Sequence, residues 1–196
     1  MPSPDLSILI IGENPIRAAI IEDGLREAGH SRVSMLHEVN AAARTIQAAL
    51  PDAIIIDLES PSGGTLDHFF SLSRTIQRPI AIFVDRSDGA MIDKAVAAGV
   101  AAYVVDGMRK ERAKPILDMA IARFNAFASL TRELEQARGE LEDRKLIEQA
   151  KGILMRTRNL SEADAYGLLR STAMNQNQRM VDIARGLVTS AALLGS

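Results

Sequence analysis

Ala53-Ile-Ile-Ile-Asp-Leu58 is an apolar run with a single carboxylate near its end, and it is the stretch that decides the fold. Such a β-branched run is typical of a strand buried on both faces of a parallel sheet. Similar short runs occur at 7–11, 33–36, 79–84 and 102–105. Helical patterns alternate with them at 15–28, 39–50, 66–76, 90–98 and from about residue 112. The alternation predicts an α/β domain with a five-stranded, doubly wound parallel sheet, in which ligand sites lie beyond the carboxyl ends of the strands.

The rest of the chain has the pattern of helices. Between residues 127 and 141, apolar residues recur at alternating steps of three and four with charges between them, which predicts a coiled-coil linker helix at 123–143. Its seam consists of Phe127, Leu130, Leu134, Ala137 and Leu141. We interpret the seam as a dimer contact. Because it spans only about two heptads, packing against the preceding domain is the alternative.

Two shorter helices are predicted after the linker helix, which should continue through Arg156. Ser161 and Asp164 form a capping box at the start of the first. Apolar residues between Met180 and Ala191 lie on one face of the second. Two short amphipathic helices cannot bury their apolar faces alone, so we expect them to fold back on the end of the long helix.

Composition excludes several classes of protein. The 196 residues are 47% hydrophobic and contain no cysteine, which excludes disulfides, thiolate metal sites and a cysteine nucleophile. No apolar run reaches the roughly 18 residues of a membrane helix, and the first residues lack the pattern of a signal peptide, so we expect a cytoplasmic protein. His30, His37 and His68 lack metal-ligand spacing and are expected at the surface. We expect neither an enzyme nor a resident metal.

The net charge of −2 is unevenly distributed along the chain. Residues 1–143 carry 15 Lys and Arg against 21 Asp and Glu, whereas residues 144–196 carry 8 against 4. A basic tail behind an acidic front predicts that any contact with a polyanion lies in the tail. Chance clustering of solvated charges is the alternative.

With Asp57 near the end of the third strand, the amino-terminal part resembles the receiver domain of bacterial response regulators, which has a flavodoxin-like fold. The resemblance makes Asp57 the phosphoacceptor-like residue. It also implies acidic Mg²⁺ ligands after the first strand, a hydroxyl residue at the end of the fourth and a lysine at the end of the fifth. This chain has Gly12-Glu13, Val84 and Asp106 at those three places. Asp57 would thus share an acidic pocket with Glu13 and Asp106.

Asp106 would lie where an aspartyl phosphate requires a cation. Two like charges a few ångströms apart repel by on the order of several kcal/mol at intermediate dielectric. We therefore predict a pseudo-receiver at residues 1–122 that conventional phosphorylation does not switch. No cofactor is expected, and Glu13 and Asp57 are the residues left for Mg²⁺.

Residues 144–156 form a basic amphipathic pattern that, taken alone, also fits an ordinary solvated helix. Arg144-Lys-x-Ile-Glu-Gln-Ala-Lys-Gly-Ile-Leu-Met155, with Leu160-Ser-Glu-x-Asp-Ala-Tyr-x-x-Leu-Arg170 and Asp182-Ile-Ala184, resembles the ANTAR domain over residues 129–190. The resemblance implies a dimer that binds paired hairpins in nascent leader RNA and prevents a terminator from forming.

RNA hairpin loops are read by hydrogen-bond donors and by planar groups that stack on bases. On that basis the predicted RNA-binding residues are Arg144, Lys145, Gln149, Lys151, Arg156, Tyr166 and Arg170. For Tyr166 the alternative is a place in the small helical core.

A pseudo-receiver followed by an ANTAR domain is similar to the amidase-regulator and nitrate-assimilation (NasT-like) antiterminators. This resemblance implies control by a ligand-sensing partner protein, and Val104-Val-Asp-Gly107 favours the nitrate/nitrite type. The alternatives are a phosphorylation-switched ANTAR protein, a DNA-binding response regulator and a protein-interaction adaptor. Against DNA binding, residues 188–196 are uncharged and cannot supply a recognition helix.

Overall fold

The structure, a computed structural model, describes residues 5–105 and 109–193. Five parallel strands form one sheet: β1 (Ile8–Gly12), β2 (Val33–Leu36), β3 (Ala53–Leu58), β4 (Ile80–Val84) and β5 (Ala102–Val104). Their order is β2-β1-β3-β4-β5, the doubly wound order whose ligand crevice lies between the carboxyl ends of β1 and β3. The predicted fold class is confirmed, and each strand lies within one residue of its predicted bounds.

Helices follow the first four strands: α1 (Pro15–Glu27), α2 (Ala42–Ala49), α3 (Gly63–Thr75) and α4 (Gly89–Ala97). Two of them differ from the prediction. The pattern at 39–50 begins as a 3₁₀ turn, Val39–Ala41, before α2 starts. Helix α3 starts three residues earlier than predicted, because the Ser62 hydroxyl accepts a hydrogen bond from the Thr65 amide and caps the helix before its two glycines.

Alternate residues of the strands contribute to two separate hydrophobic cores, one on each face of the sheet. Leu9, Ile11, Ile54 and Ile56 pack with side chains of α2, α3 and α4. Ile8, Ile10 and Ile55 pack on the other face with Ala18, Ile21 and Leu25 of α1 and with Ala113, Leu117 and Ala120. Burial on both faces is why the strands read as continuous apolar runs.

The chain forms two compact units, residues 1–128 and 129–196. Helix α5 (Lys110–Arg158) begins in the first and ends in the second, where α6 (Glu162–Asn175) and α7 (Met180–Leu193) follow. Their core is built from Ala150, Leu154, Ala165, Leu169 and Ala184. Ser161 caps α6 as predicted, since its hydroxyl accepts from the Asp164 amide. The Asp164 carboxylate accepts from the Ser161 hydroxyl, where a capping box would have it accept from the Ser161 main-chain amide.

His30 corrects one prediction: its side chain is buried, with 2% of its surface exposed. Gly29, with φ of +96°, turns the chain at the end of α1, and the His30 amide donates to the Leu25 carbonyl at 3.0 Å. His37 and His68 are exposed, as predicted. Among the described helices, none is both long enough and apolar enough to cross a membrane.

Candidate functional site

Asp57 lies at the carboxyl edge of the sheet, beside a crevice of about 570 Å³. The residue is 3% exposed. Glu13 and Asn14 line the crevice from the end of β1, and Glu59, Ser60 and Ser62 line it from the loop after β3. Of the predicted acidic pocket, Glu13 and Asp57 therefore border the same crevice, whereas Asp106 lies outside the described residues.

A guanidinium group from α1 binds the Asp57 carboxylate. Arg17 donates from Nε to Oδ2 at 2.7 Å and from Nη2 to Oδ1 at 2.6 Å, a bidentate pair that uses both oxygens. Its Nη1 donates to Oδ1 of Asp85, the residue after β4, at 2.7 Å. The hydrogen bonds to Asp57, followed by those to Asp85, raise the pKa of Arg17 above its ordinary value against the opposing effect of burial.

The start of α1 places Arg17 at this edge. The Asn14 side chain caps the helix by accepting from the Ile16 and Arg17 amides, and Pro15 occupies the first turn. Helix α1 therefore begins directly after β1, the strand that pairs with β3 in a register aligning Gly12 with Asp57. A long side chain in the first turn can then reach the neighbouring strand. Neither Arg17 nor Asp85 was among the predicted site residues.

The residues at this edge do not fit the Mg²⁺ and phosphoryl chemistry of a receiver. Both Asp57 oxygens already accept hydrogen bonds from Arg17. Gly12 supplies no carboxylate, and a Cβ there would lie 3.0 Å from the Asp57 carbonyl oxygen. Val84, where a hydroxyl is required, is fully buried in the core. Among the described residues, no group of three or more carboxylates and imidazoles is placed to hold a metal.

In the second unit, most of the predicted RNA-binding side chains are exposed. Lys145, Gln149 and Arg156 are separated by four and seven residues, so they share one face of α5 with Gly152 between the last two. Arg144 is exposed on an adjacent strip of the same helix. We name Arg144, Lys145, Gln149 and Arg156 the α5 donor surface.

Helix α6 exposes a second set of side chains at a spacing of four. Tyr166 is 43% exposed, Arg170 is exposed, and Met174 is 71% exposed. Tyr166 is therefore outside the core that the alternative interpretation assigned to it. An accessible ring beside an accessible guanidinium is the kind of surface on which unstacked bases pack.

Lys151 differs from the other predicted residues because it is 7% exposed. Its Nζ donates to both oxygens of Glu148, at 2.9 and 3.0 Å, and to Glu162 at 2.7 Å. The hydrogen bond to Glu162, and then that to Glu148, raises the pKa of Lys151, and the same contact lowers the pKa of Glu162. This position does not present a free ammonium to RNA, so Lys151 is left out of the α5 donor surface. Glu162 is a further residue that sequence analysis missed.

The predicted coiled-coil seam is exposed in the single chain. Phe127 is 69% exposed, Leu130 63%, Leu134 51% and Leu141 54%, and Ala137 is exposed too. Large apolar side chains repeating along one strip of a helix are typical of an interface with a partner.

Comparison with known proteins agrees with both units. Residues 135–188 match the ANTAR domain model. The transcriptional regulatory protein PdtaR of Mycobacterium tuberculosis is 26% identical over 177 residues, which are 90% of this chain and 86% of that protein. The nitrate regulatory protein of Klebsiella oxytoca is 41% identical over 80 residues, which are 41% of this chain and 20% of that protein.

The first unit also has solved neighbours. The signal receiver domain of a modulated diguanylate cyclase from Desulfovibrio desulfuricans G20 superposes with a TM-score of 0.52 at 16% identity, covering 62% of this chain and 97% of that domain. At this identity the likeness shows the fold alone. The two relatives matched by sequence are regulatory proteins by name. The chain thus combines a domain of the receiver fold at its amino end with an ANTAR domain at residues 135–188.

Proposed function

We propose that this regulator is an RNA-binding transcription antiterminator, which binds hairpin leader RNA and prevents termination. The observation that carries the proposal is the α5 donor surface, which lies exposed at the start of the ANTAR domain. Arg144, Lys145 and Arg156 form no ion pair with any described residue. Cations that are not neutralised within the protein can replace the counterions of RNA phosphates.

Tyr166 and Arg170 complete the proposed surface from α6. Phosphate contacts on α5 would supply affinity, while the ring and the guanidinium plane would stack on splayed loop bases. A DNA-binding function has less support. Within the described residues, the one cation of α7 is Arg185, and it lies within 3.9 Å of Asp143 and 3.7 Å of Asp182.

We further propose that the active form is a homodimer joined through the seam of α5. The exposed seam offers Leu130, Leu134, Ala137 and Leu141 at heptad spacing to the same strip of a second copy. A dimer would present two donor surfaces, which suits an RNA with two hairpins.

We also propose that a ligand-sensing partner protein, in place of phosphorylation, controls the regulator; the Arg17–Asp57 pair supports the second half of this proposal by arguing against phosphorylation. A carboxylate whose two oxygens are held by a guanidinium is a poor nucleophile towards phosphorus. Incubation with acetyl phosphate and Mg²⁺ should leave the intact mass unchanged, and stoichiometric addition of phosphate at Asp57 would contradict this mode of control. The name of the Klebsiella oxytoca relative supports nitrate or nitrite assimilation as the pathway.

An electrophoretic mobility shift tests the RNA proposal. A leader RNA with two hairpins should be bound, and excess duplex DNA should not compete. Lys145→Ala and Arg156→Ala should each weaken binding and flatten its salt dependence. Preferential binding of duplex DNA would favour the DNA-binding alternative, and binding of neither would favour an adaptor.

A further inference from the structure

Lys151 is the only residue among the predicted RNA contacts that the structure withdraws from solvent, and its surroundings assign it another task. An ammonium group has three N–H donors. Nζ of Lys151 has three acceptor oxygens within 3.0 Å, two from Glu148 and one from Glu162. Its side chain is 8% exposed, whereas those two carboxylates are 57% and 69% exposed. The buried ammonium therefore has an acceptor for each of its three N–H donors, and the two carboxylates that accept from it are exposed.

The two acids belong to different helices. Glu148 lies one turn before Lys151 on α5, and Glu162 is the first residue of α6. The ion pair with Glu162 thus joins the last turns of α5 to the start of α6. Ala165 and Leu169, the next residues of α6 along this side, pack in the core with Ala150 and Leu154 of α5.

We propose that Lys151 is a positioning residue, whose ammonium fixes the first turn of α6 against α5 and thereby sets Tyr166 and Arg170 at the right distance from the α5 donor surface. The inference rests on the proposed RNA-binding function. Tyr166 and Arg170 each lie one residue beyond the core positions Ala165 and Leu169, so a shift or rotation of α6 moves them directly. Binding groups work only when their supporting contacts hold them in place.

Glu162→Gln separates positioning from contact by the sign of its effect. Removing an acid beside an RNA surface, and freeing Lys151, should strengthen binding if Lys151 itself contacts phosphate. If Lys151 positions α6, the same change weakens binding by about tenfold, the scale of one hydrogen bond to a charged group. Glu148→Gln is the matched control, because it removes the same charge from the same ammonium without affecting α6.

Lys151→Met keeps the aliphatic stem and removes the ammonium. It should weaken hairpin binding by about tenfold with an unchanged dependence on salt, whereas Lys145→Ala should reduce that dependence. The double variant Lys151→Glu with Glu162→Lys restores an ion pair of opposite sense, and it should bind hairpin RNA more tightly than Lys151→Met does. All affinities are measured on the 196-residue chain at temperatures below the unfolding transition of each variant.

Hydrogen exchange of residues 162–175 gives a readout that needs no RNA. Lys151→Met and Glu162→Gln should speed exchange at the start of α6, and Lys145→Ala should not. Unchanged exchange, tighter binding by Glu162→Gln, or a lower salt dependence in Lys151→Met would each overturn the inference. If the parent protein binds no hairpin RNA, the proposed function and the positioning of RNA contacts both fail, and exchange then reports only whether Lys151 holds α6.

Discussion

Arg17→Met removes the guanidinium that binds Asp57 and leaves that carboxylate buried, with 1% of its side chain exposed. Removing one partner of a buried ion pair costs about 3–5 kcal/mol, because the other charge stays uncompensated. Arg17 keeps 18% of its side chain exposed and Asp85 keeps 41%, so water partly offsets the loss. We expect the free energy of unfolding to fall by about 3 kcal/mol, the lower end of that range.

Differential scanning calorimetry measures this effect. For a domain of about 120 residues, 1 kcal/mol shifts Tm by about 4 °C, so the transition of the amino-terminal unit should move down by about 12 °C. Asp85→Asn is the matched control: it removes the charge from the acceptor at the exposed side of the same guanidinium and should cost about 1 kcal/mol.

A double variant completes the test of the Arg17–Asp57 pair. Arg17→Met combined with Asp57→Leu removes both charges, and replacing a buried pair by apolar groups is often close to neutral. The double variant should therefore be more stable than Arg17→Met alone, with a coupling energy of about 2 kcal/mol. A Tm within about 2 °C of the parent for Arg17→Met, or a double variant no more stable than the single one, would refute the reasoning.

Three further predictions concern the helices. Leu134→Glu places a charge in the α5 seam and should give a monomer in analytical ultracentrifugation; an unchanged dimer would place the interface elsewhere. Gly24→Ala puts a Cβ 2.8 Å from a main-chain oxygen at the start of α5, and it should lower the free energy of unfolding by about 1–3 kcal/mol, measured with denaturant. A Cβ at Gly139 meets nothing within 4 Å, so Gly139→Ala, the control, should raise that free energy by up to about 1 kcal/mol. Lys151 lowers the pKa of Glu162, so ionised Glu162 stabilises the folded protein at pH values above the unfolded-state pKa of this carboxyl group, and that stability is lost as the pH falls through its folded-state pKa. Acidification from about pH 6 to about pH 3 should therefore lower Tm more in the parent than in Lys151→Met.

The fold could be predicted because its determinants are local. Each strand is a short β-branched run, and because it is buried on both faces it can be predicted from its own sequence without knowledge of the neighbouring strands. The start of α3 could not be placed in the same way. Gly63 and Gly64 disfavour helix by about 1 kcal/mol each, and the prediction began the helix after them. The Ser62 cap and the packing of Leu66 and Phe69 in the core outweigh that cost.

The contacts of Asp57 could not be predicted, because they join elements that are far apart in sequence. Arg17 lies 40 residues before Asp57 and 68 before Asp85. The sequence does contain an electrostatic signal. A sheet edge that carries acids and lacks the lysine of receiver domains will attract a nearby cation. Arg17 is such a cation, because it lies in the first turn of the helix that starts at this edge.

Lys151, by contrast, could have been predicted from helix geometry. It follows Ile147 by four residues and precedes Leu154 by three, so it borders the apolar strip that forms the core. Treating every lysine in a basic helix as a donor to RNA ignored that position. A lysine is almost never buried unless it is paired, and an acid three residues before it on a helix is placed to be its partner.

The ion pairs inside the ANTAR domain decide how steeply the proposed binding of RNA should depend on salt. Of the eight cations in residues 144–193, Lys151, Arg179 and Arg185 pair with carboxylates. Those without an ion pair to any described residue are Arg144, Lys145, Arg156, Arg158 and Arg170, and all five lie on α5 and α6. Five phosphate contacts release at most about 4.5 counterions for each protomer. A plot of log affinity against log salt should therefore have a slope no steeper than about −4.5 per protomer, and Arg179→Ala should leave it unchanged. A steeper slope would mean that cations other than these five, on the earlier part of α5 or in the amino-terminal unit, also contact the RNA.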